Sequence, residues 1–371
     1  ANFLAHFLGI RHGRQTNKVA KSGHMNLKQL SEKLGLSQTT VSRALNGYPE
    51  VSKATRDRVK AAAKEFNYHP STRAKGLATG RALAIGHVIP MSTKHEMVNP
   101  VFGDFIAGAG ETYARNGYEM ILSIVDDSNE HEIYRSLKLR RAVDGVIVHG
   151  PRIDDARVAL LAEIGLPFAV HGQVTHCDQP YTFLDVNNHD AFAQATDHLF
   201  DLGHRRIALV NGIETMDFAH RRRKGYETSL RAHGVAIDPG LMQSGEMTEV
   251  NGYETARRLL GVNAPPTAFL CASLISALGV RRAIEERGLV MGKDVSVITH
   301  DDMLSYLQNG GDMPIFTATR SSVRTAGRQL AQSLLHAIKH PNNPPQQTIL
   351  VCEFVIGHST GPAPRKDEHG L

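Results

Sequence analysis

Gln38, Thr39, Ser42 and Arg43 share one face of a short stretch, residues 37–47, whose other face carries Val41, Ala44 and Leu45 at helical spacing. Three neutral polar side chains and one guanidinium can donate to and accept from base-pair edges. That is the chemistry by which a short helix reads the DNA major groove. Ser37 is a natural N-cap for such a helix, and Asn46-Gly47 offers the left-handed residues that end one. A competing chemistry is suggested by the paired carboxylates Asp126-Asp127, Asp154-Asp155 and Asp301-Asp302. Adjacent residues on a strand point to opposite faces, so such pairs do not converge on one scissile bond. Among the 20 histidines there is no metal-ligand spacing, and the chain has no nucleophile elbow or phosphate-binding glycine loop. No catalytic residue, metal or cofactor is expected, so the chain does not read as an enzyme.

The elements that would position the reading face lie on either side. Leu27, Leu30 and Leu34 give residues 26–34 an apolar stripe, and Gly35 suits a tight helix-helix turn. A third helix fits residues 53–66, capped by Ser52, with Val59, Ala62, Ala63 and Phe66 inward. Helix spacing alone fits a plain three-helix bundle equally well, and the charge distribution decides between them. Residues 25–84 hold 11 Lys+Arg against 4 Asp+Glu, a net of +7, and residues 1–24 hold four basic residues and no acid. The remaining 27 basic and 33 acidic residues leave −6 on residues 85–371. A basic head on a slightly acidic body suits a phosphate backbone as partner. No apolar run approaches the roughly 18 residues that span a bilayer, and no stretch pairs a basic with a large apolar face, so no membrane partner is expected.

A length of 371 residues implies two to three domains. Cys177, Cys271 and Cys352 are odd in number and widely spaced, as in free thiols of a cytoplasmic protein. Residues 1–24 read as a leader or cloning-derived segment, with Met25 as the natural start. Residues 70–82 could form a short helix capped by Ser71, although composition alone favours a flexible linker. From Ala82 onward short apolar runs alternate with helical stretches, which implies parallel sheets covered on both faces. Ligands of such sheets bind beyond the carboxyl ends of the strands. Those ends carry His87, Asp126, His149, His171, Asn211, Ser273 and the run 300–302, polar groups suited to a polyhydroxylated ligand.

Residues 34–47, then Val51-Ser52, Thr55-Arg56, Asn67-Tyr68-His69-Pro70 and Arg73-Ala74-Lys75-Gly76-Leu77 form a connected set of motifs. With Asn99-Pro100-Val101-Phe102, residues 143–147, 202–208, 222–226, 300–302 and 354–356, they resemble the lactose/galactose repressor family of bacterial transcription regulators. Within that family the chain is similar to repressors of alpha-glucoside utilisation operons. The resemblance implies an α/β fold: a helix-turn-helix head over 25–69, a hinge helix over 70–82, and a two-lobed periplasmic-binding-protein-like body with parallel sheets over 83–360. A disordered tail is expected over 361–371. It implies a homodimer or tetramer on a palindromic operator, answering to a small sugar effector. Gln38, Thr39 and Arg43 match positions that contact bases, Thr40 and Ser42 positions that contact phosphates, and Asn46 completes the face. Leu77 matches a leucine that wedges into the minor groove, which turns the linker reading toward a helix that folds on DNA. In the cleft Arg222, Asp301, Phe102 and Met247 match ligand positions, with Asp104 and His149 beside them. Two departures fall where ligands are held, Ser273-Leu274 before Ala277-Leu278-Gly279 and His171-Gly172-Gln173 after Pro167.

The alternatives are a sugar-processing enzyme with a DNA-binding head, a regulator answering to a non-sugar ligand or corepressor, and a secreted sugar-binding protein. The absence of a signal peptide and the basic head speak against the last. Within 221–224 one arginine is expected in the cleft and the others in solvent. His198, His204 and His220 are expected at the surface or at caps, and residues 341–345 as a loop.

Overall fold

The computed structural model describes residues 25–68, 80–90, 99–300 and 303–364. Leu77, Asp301, Asp302 and nearly all of the 70–82 hinge lie outside the described residues. The chain divides into two compact units, Ala1–Thr79 and Gly80–Leu371.

The described part of the first unit is three helices, α1 (Leu27–Leu34), α2 (Gln38–Leu45) and α3 (Lys53–Glu65). Asn26 and Gln29 form a reciprocal capping box at the start of α1, and Gly35 ends it at φ 63°. Ser37 caps α2 by accepting from Thr40 N at 3.0 Å, and Ser52 does the same for α3 with Thr55 N at 3.2 Å. Only Gly47 of the Asn46-Gly47 pair is left-handed. Asn46 keeps φ −84° and closes the helix with its side chain, Nδ2 donating to Ser42 O at 2.9 Å. Leu30, Leu34, Val41, Ala44, Val51, Val59, Ala62 and Ala63 make the small core.

The second unit holds two six-stranded sheets. The first has the order β11-β5-β4-β3-β1-β2 and is parallel throughout. Its strands are β1 (Ala84–Pro90), β2 (Glu119–Val125), β3 (Gly145–His149), β4 (Phe168–His171), β5 (Thr182–Val186) and β11 (Gln347–Leu350). The second has the order β12-β10-β9-β8-β6-β7, parallel except for the antiparallel β10–β12 pair. It contains β6 (Ile207–Asn211), β7 (Met242–Ser244), β8 (Ala268–Cys271), β9 (Ser296–His300), β10 (Thr317–Arg320) and β12 (Glu353–Val355). Helices alternate with strands: α4 (Pro100–Arg115), α5 (Glu130–Leu139), α6 (Ala156–Glu163), α7 (Asn188–Asp201), α8 (Asp217–Ala232), α9 (Glu249–Leu259), α10 (Leu274–Glu286) and α11 (Val323–Lys339). The chain passes from the first sheet to the second after β5, returns through α11 after β10, and passes over again between β11 and β12. The chain is thus α/β, a helix-turn-helix unit followed in sequence by a unit of two mainly parallel-sheet lobes.

Several expectations change. The segment 361–371 does not begin as a loose tail, because Ala363 N donates to Leu202 O at 2.8 Å and Gly361 N to Ser296 Oγ at 3.1 Å. His204 is not a surface residue. It is buried, with Nδ1 2.8 Å from Thr267 Oγ1 and Nε2 2.9 Å from Ser296 Oγ and 3.1 Å from Gly361 O, so it anchors that segment. The fold also uses strands that apolar runs do not reveal, chiefly β5 and β10. Thr317 and Thr319 of β10 are fully buried, their hydroxyls met by Thr360 Oγ1 and His300 Nδ1, each at 2.7 Å.

Helix pairs cover the sheets at very close range. A Cβ added to Gly327 of α11 would stand 2.2 Å from Phe105 O of α4, and one on Gly108 would stand 2.0 Å from Arg324 O. Each glycine therefore admits the other helix's backbone. Gly327→Ala is expected to destabilise the second unit by about 1–3 kcal/mol through overpacking. A lowered urea midpoint at unchanged slope would show this, and an unaltered midpoint would mean that the two helices separate freely.

Candidate functional site

The first candidate surface is the outward face of α2. Gln38, Thr39 and Arg43 are exposed, while Val41 and Ala44 are buried on the opposite side. Ser42 is half-buried, and Asn46 is exposed but tied to its own helix end through Ser42 O. Thr40 Oγ1 lies 2.9 Å from Ser37 Oγ, which leaves one hydroxyl hydrogen of that pair for an outside acceptor. Not every basic residue of the head remains available to an anion. Arg58 donates to Leu34 O at 2.8 Å, Arg56 to Tyr48 O at 3.1 Å, and Lys53 pairs with Asp57 at 3.0 Å.

The second candidate is a cavity of about 420 Å³ in the second unit, walled by strand residues of the first sheet and by loop and helix residues that follow strands of the second. Phe102, His149, His171, Arg222, Met247 and Ser273 all line it. The structure thus brings together six of the eight residues expected there. Asp301 lies outside the described residues. Asp104 is a correction: it does not line the cavity. It is buried on α4, where Oδ2 accepts from Ser305 N at 2.6 Å and Oδ1 stands 3.7 Å from Arg324 Nη1. Asp104 lies two residues beyond Phe102, about half a helical turn, which turns it away from the cavity face that Phe102 occupies.

The strand register explains the aromatic wall. His149 and His171 are paired at the carboxyl ends of β3 and β4. Phe105 stacks on His171 at 4.1 Å between centroids and meets His149 edge-on at 5.1 Å, and Phe102 also meets His149 at 5.1 Å. Behind them a relay runs inward, with His149 Nε2 2.9 Å from His87 Nδ1 and His87 Nε2 3.1 Å from Tyr113 Oη. His149 Nδ1 is buried without a hydrogen-bond partner. His149 thus lines the cavity through its ring while that nitrogen stays enclosed, its hydrogen-bonding capacity unmet inside the protein. Burial keeps the ring of His149 neutral, and it holds His171 down at about 4 and His87 at about 3.

Arg222 enters from α8. Its Nε donates to Asn188 Oδ1 at 2.7 Å and its Nη1 to Ala272 O at 2.8 Å, and the guanidinium lies over the rings of Phe218 at 4.8 Å and Phe192 at 5.3 Å. Its neighbours behave as expected of a helix surface. Arg221 pairs with Asp217, and Arg223 with Glu214 and Glu227, each of the latter at 2.7 Å. Ser273, one of the departures, caps α10 by accepting from Ser276 N at 3.2 Å, so its hydroxyl is half committed. Gly172, beside the other, takes φ 112° against Pro151.

Sequence reasoning missed Asp185, Asn188, Arg157 and Phe218, all of which line the cavity. Arg157 is held at 3.0 Å by Glu130 and 2.6 Å by Asp155, and its Nη2 donates to His149 O at 3.2 Å, fixing the end of β3. Its signal was the strong cap of α6 at Asp155, where the guanidinium folds back on the capping carboxylate. Among the described residues no group of His, Cys, Asp or Glu could hold a metal, and no helix is long and apolar enough to cross a membrane.

Comparison with known proteins agrees with this geometry. Residues 26–71 match the family model of bacterial regulatory proteins, lacI family, and residues 196–360 match that of a periplasmic binding protein-like domain. The chain is 42% identical to the HTH-type transcriptional regulator AglR of Rhizobium meliloti, covering 92% of this chain and 95% of that one. It is 32% identical to the regulator RafR of Escherichia coli, over 85% and 92%. Among solved structures it is similar to the lac repressor dimer bound to operator and the anti-inducer ONPF, at TM-score 0.78 and 26% identity over 91% and 100% of the chains. It is also similar to the transcriptional regulator CelR in complex with cellobiose, at 0.67 and 27%, over 90% and 99%.

The buried imidazoles generate a pH prediction. The unfolded chain takes up protons on His87 and His171 as pH falls below about 6.5, whereas the folded state refuses them until about 3 and 4. Stability is therefore expected to fall between pH 6.5 and 4. His171→Phe, which keeps the stack on Phe105, is expected to flatten that slope in thermal melts, and a variant as steep as the parent would place the titration elsewhere.

Proposed function

Because this chain belongs to the LacI family of bacterial regulatory proteins, we propose that it represses a sugar-utilisation operon, with its affinity for a palindromic operator set by an alpha-glucoside disaccharide. The protein is a DNA-binding transcriptional regulator and not an enzyme. In this reading Gln38, Thr39 and Arg43 face base edges, Thr40, Ser42 and Asn46 lie along the phosphates, and Leu77 enters the minor groove. Two copies place two such helices on the two half-sites, and the protein acts in the cytoplasm, where its operator is.

The cavity carries the effector half of the reading. Its volume lies within the usual range of ligand pockets, about 300–1,000 Å³, and its walls combine aromatic rings with a few convergent polar atoms. Ring faces suit the apolar faces of a sugar, and the polar side chains among them suit its hydroxyls. The charge of Arg157 is met within the protein by two carboxylates, so that arginine does not call for an anionic ligand. The choice of an alpha-linked glucoside rests on the resemblance set out from the sequence motifs. Repression is relieved when the sugar binds the two arrangements of the lobes with different affinity, a coupling free energy between cleft and operator.

Two experiments test the two halves. In a thermal-shift panel, maltose, trehalose and sucrose are expected to raise the melting temperature at millimolar concentration and cellobiose to do so less. A panel without any sugar response would overturn the effector class, and a larger shift with cellobiose the linkage. Arg43→Ala is expected to cost about 1–3 kcal/mol of operator binding and to relax sequence preference at the base it contacts. An unchanged ratio of operator to random-DNA affinity in fluorescence anisotropy would remove Arg43 from base reading.

A further inference from the structure

Asp185 is the penultimate residue of β5, is 6% exposed, and lines the cavity at the point where the chain leaves the first sheet for the second. Its two oxygens are treated differently. Oδ1 accepts from Val186 N at 2.8 Å and from Asn188 Nδ2 at 3.1 Å. Oδ2 accepts from no donor among the described residues. It is the unpaired oxygen of the carboxyl group of a buried residue that lines the cavity. Asn188 continues the line, since its Oδ1 accepts from Arg222 Nε at 2.7 Å, and Arg222 reaches Ala272 O at the end of β8. A single hydrogen-bonded chain thus runs from the rim of the first sheet, through the crossover, to the rim of the second.

We propose that Asp185 is a specificity-determining residue of this cleft, accepting a hydrogen bond from an effector hydroxyl through Oδ2 and passing occupancy to the Asn188–Arg222 link. This rests on the reading of the cavity as a sugar site. A carboxylate with one oxygen fixed and one open is an oriented acceptor, and a vicinal diol or an anomeric hydroxyl offers the matching donors. A ligand lacking a hydroxyl there leaves a buried charge without a partner, which discriminates more strongly than a missing apolar contact does.

The surroundings make the acceptor sensitive to pH. Asp217, Arg221 and Arg222 of α8 face Asp185, and His171 of β4 lines the same cavity with Arg152 and Arg157. β11 brings only Gln347, Thr348, Ile349 and Leu350, and α11 brings Val323 and Ala326. Arg221 is engaged by Asp217 and Arg222 by Asn188, so neither closes on Oδ2. Burial lifts the carboxyl to about 6 against the opposing hydrogen bond from Val186 N and the attraction of Arg221 and Arg222. A donor arriving at Oδ2 favours the ionised form, so binding below pH 6 requires release of a proton. The neighbouring imidazoles stay neutral across that range, His171 held down to about 4, His87 to about 3, and His149 well below the usual imidazole value by burial.

The test compares the full chain with Asp185→Asn, using whichever of maltose, trehalose or sucrose gives the largest thermal shift with the parent. Titration calorimetry at pH 7.5, 6 and 5 is expected to show about a tenfold loss of parent affinity from pH 7.5 to 5. The variant is expected to bind at least tenfold more weakly at pH 7.5 and to show no pH trend. Without ligand, the raised carboxyl destabilises the folded parent as pH rises from 4 to 6. The variant should therefore melt higher than the parent at pH 7.5, with the gain shrinking toward pH 4.5. A variant that binds within twofold of the parent, or a parent whose affinity is flat with pH, would overturn the role of Asp185 alone. A parent that binds none of the three sugars would instead overturn the sugar reading, and the Asp185 proposal with it.

Discussion

A buried guanidinium that cannot be moved without exposing an unpaired charge is the constraint around which the second unit is arranged. Arg222 is 5% exposed, lies between two phenylalanine rings, and spends its donors on Asn188 Oδ1 and Ala272 O. Removing any one partner would leave charge or a donor uncompensated in a dry environment, a penalty larger than the net worth of the bond itself. Asn188 opens α7 immediately after the first crossover, and Ala272 follows β8 in the other sheet. The arginine therefore fixes the relative register of the crossover and the strand ends that wall the cavity. Phe218, one of those two rings, and Arg222 itself also line the cavity, so the same interaction holds the fold and shapes the site.

The opposite flank is braced by different means. Arg324 of α11 donates to Glu111 of α4 at 2.9 Å through Nε, and Arg328 donates to the other oxygen of that carboxylate at 2.7 Å. Asp104, on the same helix, holds the backbone of Ser305 in the loop after β9. Together with the reciprocal glycine contacts, these pairs bind the return helix to the first lobe over its whole buried face. One side of the cleft is thus locked by packing too tight for a methyl group, and the other by a line of four hydrogen bonds. Hydrogen bonds exposed to a ligand cavity can rearrange when a ligand offers replacements, whereas backbone packed on backbone cannot. Movement of the lobes on effector binding is accordingly expected to begin at the Asp185–Asn188–Arg222 side.

What could be read in the sequence followed from local chemistry. The head was legible almost to the residue, because caps such as Ser37 and Ser52 and the spacing of Leu30, Leu34, Val41 and Val59 are written within single helices. The alternation of strands and helices in the body was legible for the same reason. Strands β5 and β10 were not, since their cores are satisfied by hydroxyls and a carboxyl rather than by apolar runs: Thr182 and Asp185 in one, Thr317 and Thr319 in the other. In the cavity, His149, His171 and Ser273 announced themselves as polar residues at strand ends, whereas Arg222, in the middle of α8, was indicated only by the family resemblance. Asp185 did not, because its importance depends on Asn188 and Arg222 arriving from other elements. Asp104 misled because a carboxylate near Phe102 in sequence turns, over half a helical turn, to the far side of α4.

The same distinction between a residue's type and its partners limits what net charge says about the head. Sixty residues with a surplus of seven positive charges suggest an evenly attractive surface. In the folded head, Arg58 closes on the end of α1, Arg56 on Tyr48 O, and Lys33 lies 3.9 Å over the ring of Phe66. These cations still contribute long-range field, but one donor of each arginine is held by a backbone carbonyl and Lys33 is held over a ring face. Arg43 bonds to nothing comparable and stands exposed on the polar face of α2 beside Gln38 and Thr39. In the proposed reading the surplus charge of the head supplies attraction to DNA, and Arg43, exposed on a helix of eight residues, is the cation that would read bases.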